Sequence, residues 1–471
     1  MFPIVKYPAI VEHYAHFFES VFSEEAFIQF KRYISGLLVS ENKTISGINQ
    51  LFIIAHRSQS SLNRFLTKSP FFLEDLNRSR LLMLESVPRT RIKSTKGVLS
   101  FDDTLLTHYG KDFDKIAILW DHVNRCYTWA HNLVSLHYSD DQTDYPLDFQ
   151  LWEPADLEKL EKGLPEAGIK LREKKFALKT ENPLKWRQYL IGVWRRKQNN
   201  PKVAVLYKSK LLMAQEMLST WVQSNPDLKL PVTFDSWYTQ PSFCRYINDV
   251  LKLPYVGTLG SDDEILLRTG KEKLGQFAAR LKAEHLAKIK RDPEAGVFKK
   301  ITFRYKGEEE IYYSYCRVHR ISGFGKQRLV INYRQKDLTD TPFFLISNRR
   351  RWQAKGITRI RRHRWPVEVF YEESKAEGLD QYQLRDFEGI RRHIALVAVV
   401  YSLLRAAQQD FDLRDNLQRQ LRITLEGSAV FWRKATKADT LWNLATVISV
   451  GLRKGKSLKT IMLPFTKALC A

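Results

Sequence analysis

Acidic residues sit at three places where an α/β chain can present reactive groups. Asp102 and Asp103 close the apolar run VLSFDD, Asp235 closes PVTFD, and Glu368 falls in the first turn of a helix opened by Pro366. Carboxylates at strand ends and on a neighbouring helix can converge at one edge of a sheet. They repel one another unless cations lie between them. Mg2+ suits such a set, because it takes hard oxygen ligands and keeps part of its shell for phosphate oxygens. Two such ions can stabilise both the attacking and the leaving oxygen at a phosphodiester. The same residues also have plain structural uses: Asp after a strand turns the chain, and Glu in a first helical turn favours the helix dipole.

The stretch HRWPVEVFYEESK, 363–375, joins acid to base. At helical spacing Val367, Phe370 and Tyr371 make an apolar side, while Glu368, Glu372 and Lys375 share another. Lys375 can then reach a phosphate held beside Glu368. A helix continued backwards would bring Arg361 and Arg364 to the same side, although Pro366 argues against that continuation. Residues 346–365 carry eight Lys or Arg and no acid, with Trp352 and Trp365 among them. Arginines and tryptophans together suit backbone contact with base stacking.

The whole chain repeats this bias: 76 Lys plus Arg stand against 52 Asp plus Glu, a net charge of +24. Such a balance attracts polyanions, nucleic acid first. With 471 residues, 44% of them hydrophobic, the chain can form about three folded domains. Its four cysteines make no C-x-x-C pair and no disulfide framework, which points to a reducing, cytosolic compartment. The opening residues lack a signal-peptide pattern. The longest apolar run, IALVAVVYSLL, is far short of the roughly 20 residues that span a bilayer. It reads as a buried helix, and no membrane partner is expected.

The first 85 or so residues read as helices. Ser23 caps one whose apolar positions include Phe27, Phe30, Ile34 and Leu37. Thr44 caps a second, ISGINQLFIIA, and after an HRS break Ser58 caps a third, QSSLNRFL. The pair suggests a helix-turn-helix showing Ser60, Asn63 and Arg64 to DNA. GVLSFDD, RCYTWAHNLVSLHY and YPLDFQLW read as strands. Residues 157–200 read as an irregular surface excursion, 203–222 as one amphipathic helix and LPVTFDSW as a strand, an order that suits an α/β sheet. From 254 to 345 short strands return, with EIYYSYCRVHRI and QRLVINYR paired across SGFGK. Helix resumes over 366–410, and the last 60 residues read as helical and basic.

These residues resemble the DDE transposases of the IS-four superfamily of bacterial insertion sequences. The family signature orders Tyr, Arg, Glu and Lys at spacings that Arg364, Glu368 and Lys375 match, with Arg361 in the tyrosine's place. FDDT resembles the block of the first aspartate, with Asp103 in position, and TFDSWY the second, with Asp235. The stretch from DHVNRCYTWAHNLVSLHY to YPLDFQLW is similar to the 701-like branch. The resemblance implies an α/β protein with a ribonuclease-H-like catalytic core, interrupted by a β-strand insertion and flanked by helical regions. The expected division is a DNA-binding domain at 1–90, core at 91–253, insertion at 254–347, core again at 348–410 and a C-terminal region at 411–471. It implies a transposase that binds terminal inverted repeats, cuts the DNA ends and joins them to target DNA. Asp103, Asp235 and Glu368 would hold Mg2+, with Mn2+ able to substitute. Arg361, Arg364, Trp365 and Lys375 would contact DNA, with Asn63 and Arg64 in the N-terminal helices. Double-stranded DNA is the expected partner, a homodimer the expected assembly, and the bacterial cytoplasm, at the nucleoid, the expected location. A catalytically silent DNA-binding regulator and a metal-dependent nuclease without strand transfer are the alternatives.

Overall fold

A computed structural model describes residues 3–53, 57–425 and 427–470. Its strands, in chain order, are β1 (Val98–His108), β2 (Ala117–Asp121), β3 (Cys126–Ser139), β4 (Asp144–Trp152), β5 (Val232–Phe234), β6 (Tyr255–Leu259), β7 (Glu264–Leu267), β8 (Gly270–Lys273), β9 (Lys299–Tyr305), β10 (Glu308–Ile321), β11 (Gly325–Tyr333) and β12 (Phe343–Ser347). They join in one mixed sheet ordered β2-β3-β1-β5-β6-β12-β11-β10-β7-β8, with β4 also on β3 and β9 on β10. β1, β5 and β6 run parallel, in the register Leu99 to Val232 and Val232 to Tyr255. β3 crosses β1 antiparallel along its full length. From Ala130 onward every β3 residue is buried, as expected of a strand covered on both faces.

The strands of 254–347, expected as an insertion, belong to this same sheet: β6 pairs with β5 and β12 with β6. The expected hairpin across SGFGK is present, with Ile321 opposite Gly325. A second hairpin joins β9 to β10 through Lys306 and Gly307. Both have positive φ, 48° and 91°, the backbone of the tight turn that matches strand twist. The same stretch also contains a helix, Leu274–Ile289, which the strand pattern does not suggest.

Helices surround the sheet. Ser23 accepts from the Ala26 N–H and caps Glu24–Val39, with Phe30, Ile34 and Leu37 buried. Phe387–Gln409, which holds the apolar run, packs against Glu24–Val39, Gln59–Lys68, Leu73–Ser86 and Ala429–Arg453. One hydrophobic core therefore runs from the N-terminal helices into the sheet. No helix among the described residues is long and apolar enough to cross a membrane.

Several elements differ from the sequence reading. Thr44 does cap a helix, but it ends at Gln50, and residues 54–56 of the expected helix and break lie outside the described residues. Residues 157–200 are not irregular. Leu157–Glu166 and Pro183–Lys197 are helices that bury Leu160, Leu164, Trp186, Leu190 and Trp194 in a core of their own. Their lysine-rich outer faces and the Pro165 in the first helix mask that spacing. The helix expected over 203–222 starts at Lys210, where Ser209 accepts from the Leu212 N–H at 3.3 Å. β2 was not foreseen. β1 continues five residues past Asp103, so the two aspartates lie within a strand rather than at its end.

Candidate active site

β1 and β5 lie side by side with Phe101 opposite Phe234. Their next residues are Asp102 and Asp235, so acids from two parallel strands become neighbours. Successive strand side chains alternate between faces, and the β1 pair is divided accordingly. Asp103 accepts from Asn132 Nδ2 at 2.7 Å, Lys210 Nζ at 2.8 Å and Tyr238 Oη at 3.0 Å. Asp102 bonds instead to the Arg364 guanidinium, whose other arm holds Glu368. Asp235 accepts from the Tyr238 N–H at 3.1 Å.

The helix Trp365–Ala376 delivers Glu368 as expected, with Pro366 in its first turn and Val367, Phe370 and Tyr371 buried beneath. Tyr371 fixes the helix on β1 by donating to the Asp102 carbonyl at 2.8 Å. The preceding helix, Ala354–Arg362, is separated from it by the turn His363–Arg364. Arg364 keeps a helical backbone there, φ −77° and ψ −32°. The interruption therefore does not turn Arg364 away from Glu368.

Burial pushes the Asp102 carboxyl up to about 7; Arg364 opposes this, while the charges of Asp235 and Asp103 add to it. Asp235 is also raised, by burial first, with Asp103 contributing. Burial is thus the main force against charge on these two acids, and the hard oxygens of the set fit a divalent cation in type. Their arrangement is another matter. Among the described residues no three His, Cys, Asp or Glu side chains are grouped to hold an ion.

The basic residues separate into two sets. Arg364 is only 8% exposed. Arg361 is turned inward, its Nε donating to Thr258 Oγ1 at 2.8 Å, and burial lowers its pKa to about 10. Arg359 and Arg362 pair with Asp141 and Glu310, and Trp352 packs against an apolar cluster. Arg349, Arg350, Arg351 and Lys355 remain exposed. So does Trp365, at 48%. Lys375 is half-buried, near Asp121 and Asp380. On Gln59–Lys68, Asn63 and Arg64 are exposed while Leu62, Phe65 and Leu66 are buried.

The model of the family described as DDE superfamily endonuclease matches residues 16–268, more than half of the chain. The chain belongs to the DDE superfamily endonucleases. No curated protein matches it. In this DDE endonuclease the matched stretch carries Asp102, Asp103 and Asp235 and stops short of Glu368. Glu368 is tied to Asp102 through its guanidinium partner.

Sequence reasoning did not single out Lys210, Asn132, Tyr238 or Trp237 in this DDE endonuclease. Lys210 Nζ lies 4.3 Å from the ring centre of Trp237, which is 44% exposed. Trp237 and Tyr238 belong to the TFDSWY block and were within reach of a motif reading. Lys210 and Asn132 were not, since their link to Asp103 depends on how the chain folds back.

Proposed function

We propose that this DDE endonuclease is a DNA transposase, which cuts the ends of a mobile element and joins them to target DNA. The observation that carries the reading is the placement of acids on adjacent parallel strands with Glu368 delivered beside them on a helix. Asp103, Asp235 and Glu368 are the proposed metal ligands. A divalent ion held by them would activate the attacking oxygen and offset charge on the leaving one. The protein's own part is to aim these carboxylates, through Tyr238 and Asn132 on Asp103 and the Trp365–Ala376 helix under Glu368. Lys375 and Arg364 would bind phosphate and position the strand, and the exposed Trp365 offers a surface for an unpaired base.

The order β4-β3-β1-β5-β6, with β1, β5 and β6 parallel, supports a ribonuclease-H-like core with β7–β12 as its insertion. Recognition of terminal repeats is assigned to the N-terminal helices, where Asn63 and Arg64 are exposed. The C-terminal helices show exposed Leu441, Trp442, Val450, Leu452, Leu458 and Leu463, an apolar surface suited to pairing two protomers on DNA.

The test is a strand-transfer assay with Mg2+, the full-length protein and oligonucleotides carrying the DNA that flanks its coding region. Joining of a 3′-hydroxyl end to plasmid is expected. Cutting without joining would leave a nuclease, and binding without cutting a regulator.

A further inference from the structure

We propose that Arg364 is an internal cation that keeps the carboxylate site closed until DNA and a divalent ion arrive together. This rests on the reading of Asp103, Asp235 and Glu368 as ligands and adds a regulatory device to it. The guanidinium spans Asp102 and Glu368 and is nearly buried. Arginine does not lose its proton in proteins, so this charge cannot be titrated away. It can only be moved.

The bridge accounts for where Glu368 is held. Glu368 is turned towards Asp102 through Arg364, while Asp103 is satisfied by a second internal cation, Lys210. An ion entering among these acids meets a fixed positive charge in the same small space. DNA supplies the way out. A phosphate offers a guanidinium the same two-pronged acceptor geometry as a carboxylate. Once Arg364 turns to a phosphate, Glu368 is released from its bridge to Asp102 and becomes available to an ion. Metal and DNA then favour one rearranged state, and each must raise the affinity for the other by the same factor. A plain structural ion pair predicts no such coupling.

Mn2+ binding to the full-length protein without DNA, followed by loss of the free-ion paramagnetic resonance signal, tests the lock. Arg364→Met removes the charge and keeps the length. Asp102→Asn frees the far end of the bridge and leaves the three proposed ligands intact. Each variant should bind Mn2+ at least about fivefold more tightly than the wild type, the low end of ordinary coupling between sites. A short blunt-ended DNA duplex should tighten Mn2+ binding by the wild type and leave Arg364→Met nearly unchanged. Equal or weaker Mn2+ binding by both variants, with circular dichroism unaltered, overturns the lock while the proposed metal site stands. If Arg364→Met does not fold, Asp102→Asn and the DNA effect on the wild type decide. Failure of all three proteins to bind Mn2+ overturns the metal-site reading and the lock with it.

Discussion

Asp144 and Lys306 are 162 residues apart in the chain, yet Lys306 Nζ lies 3.0 Å from the Asp144 carboxylate. This contact pins the β9–β10 turn to the start of β4. Asp144 also accepts from Tyr401 Oη at 2.7 Å and lies 3.4 Å from Arg405, which in turn holds Glu373 at 3.0 Å on the Glu368 helix. One buried carboxylate thus ties together β4, the β9–β10 turn, the long helix Phe387–Gln409 and the helix that carries Glu368.

Asp144→Asn should therefore lower stability by roughly 3–5 kcal/mol, the usual cost of breaking a buried ion pair from one side. Burial opposes its charge, but Arg405 and Lys306 outweigh burial and hold the carboxyl well below the ordinary range. A depressed carboxyl contributes stability above its unfolded value of about 3.9 and loses it as pH falls towards its folded value. Urea melts of both proteins at pH 7 and under acid conditions will show the difference shrinking as the pH drops. A constant difference would mean that Asp144 acts through packing alone.

Asp102 should behave in the opposite sense. Its folded value, about 7, lies above that of the unfolded chain, so the fold takes up a proton between roughly pH 4 and 7. The resulting stability is complete below pH 4 and lost as pH rises through 7. Asp102→Asn should flatten this slope, which thermal melts across pH 4.5–8 will read directly. Parallel curves would remove Asp102 from the list of titrating groups.

Glu368→Gln, Asp235→Asn and Asp103→Asn should each reduce metal-dependent DNA cleavage by about a thousandfold or more, the scale seen when a member of a catalytic set is removed. DNA binding should stay close to wild type. Gel-based nicking and filter binding measured on the same preparations check both points. Full cleavage by Asp103→Asn would transfer its proposed role to Asp102.

Lys375→Ala should weaken DNA binding and reduce the salt slope by about one counterion, as expected of a single phosphate contact. The same change at Arg359, already paired with Asp141 at 2.5 Å, should move the slope less. Affinities measured over a range of KCl concentrations separate the two.

Local signals carried much of the fold. The Ser23 cap, the hairpin across SGFGK, the apolar run of the long helix and the start at Pro366 all follow from side chains within a few residues of one another, and the structure keeps each. The readings that failed had competing local signals, as where lysines and Pro165 masked the core spacing of Leu160 and Leu164. For the site, Asp235 and Glu368 were visible as acids beside regular elements. The partners of Asp103 were not, because Asn132 and Lys210 reach it only once β3 lies on β1 and a distant helix folds back. The phosphate role expected of Arg364 comes from the family resemblance. Its second partner, Asp102, lies 262 residues away, beyond any local pattern.

The chain order of the site has a consequence during synthesis. Among the described residues the twelve strands all precede Glu368, and the long helix that packs against the N-terminal bundle follows it. β1 cannot pair with β5 until more than a hundred further residues have been made, a long wait of the kind that slows folding and exposes intermediates. A nascent chain on the ribosome therefore holds its aspartates without their glutamate. Unfinished or prematurely terminated products that stop at the end of β12 lack Glu368, the acid proposed as the third metal ligand.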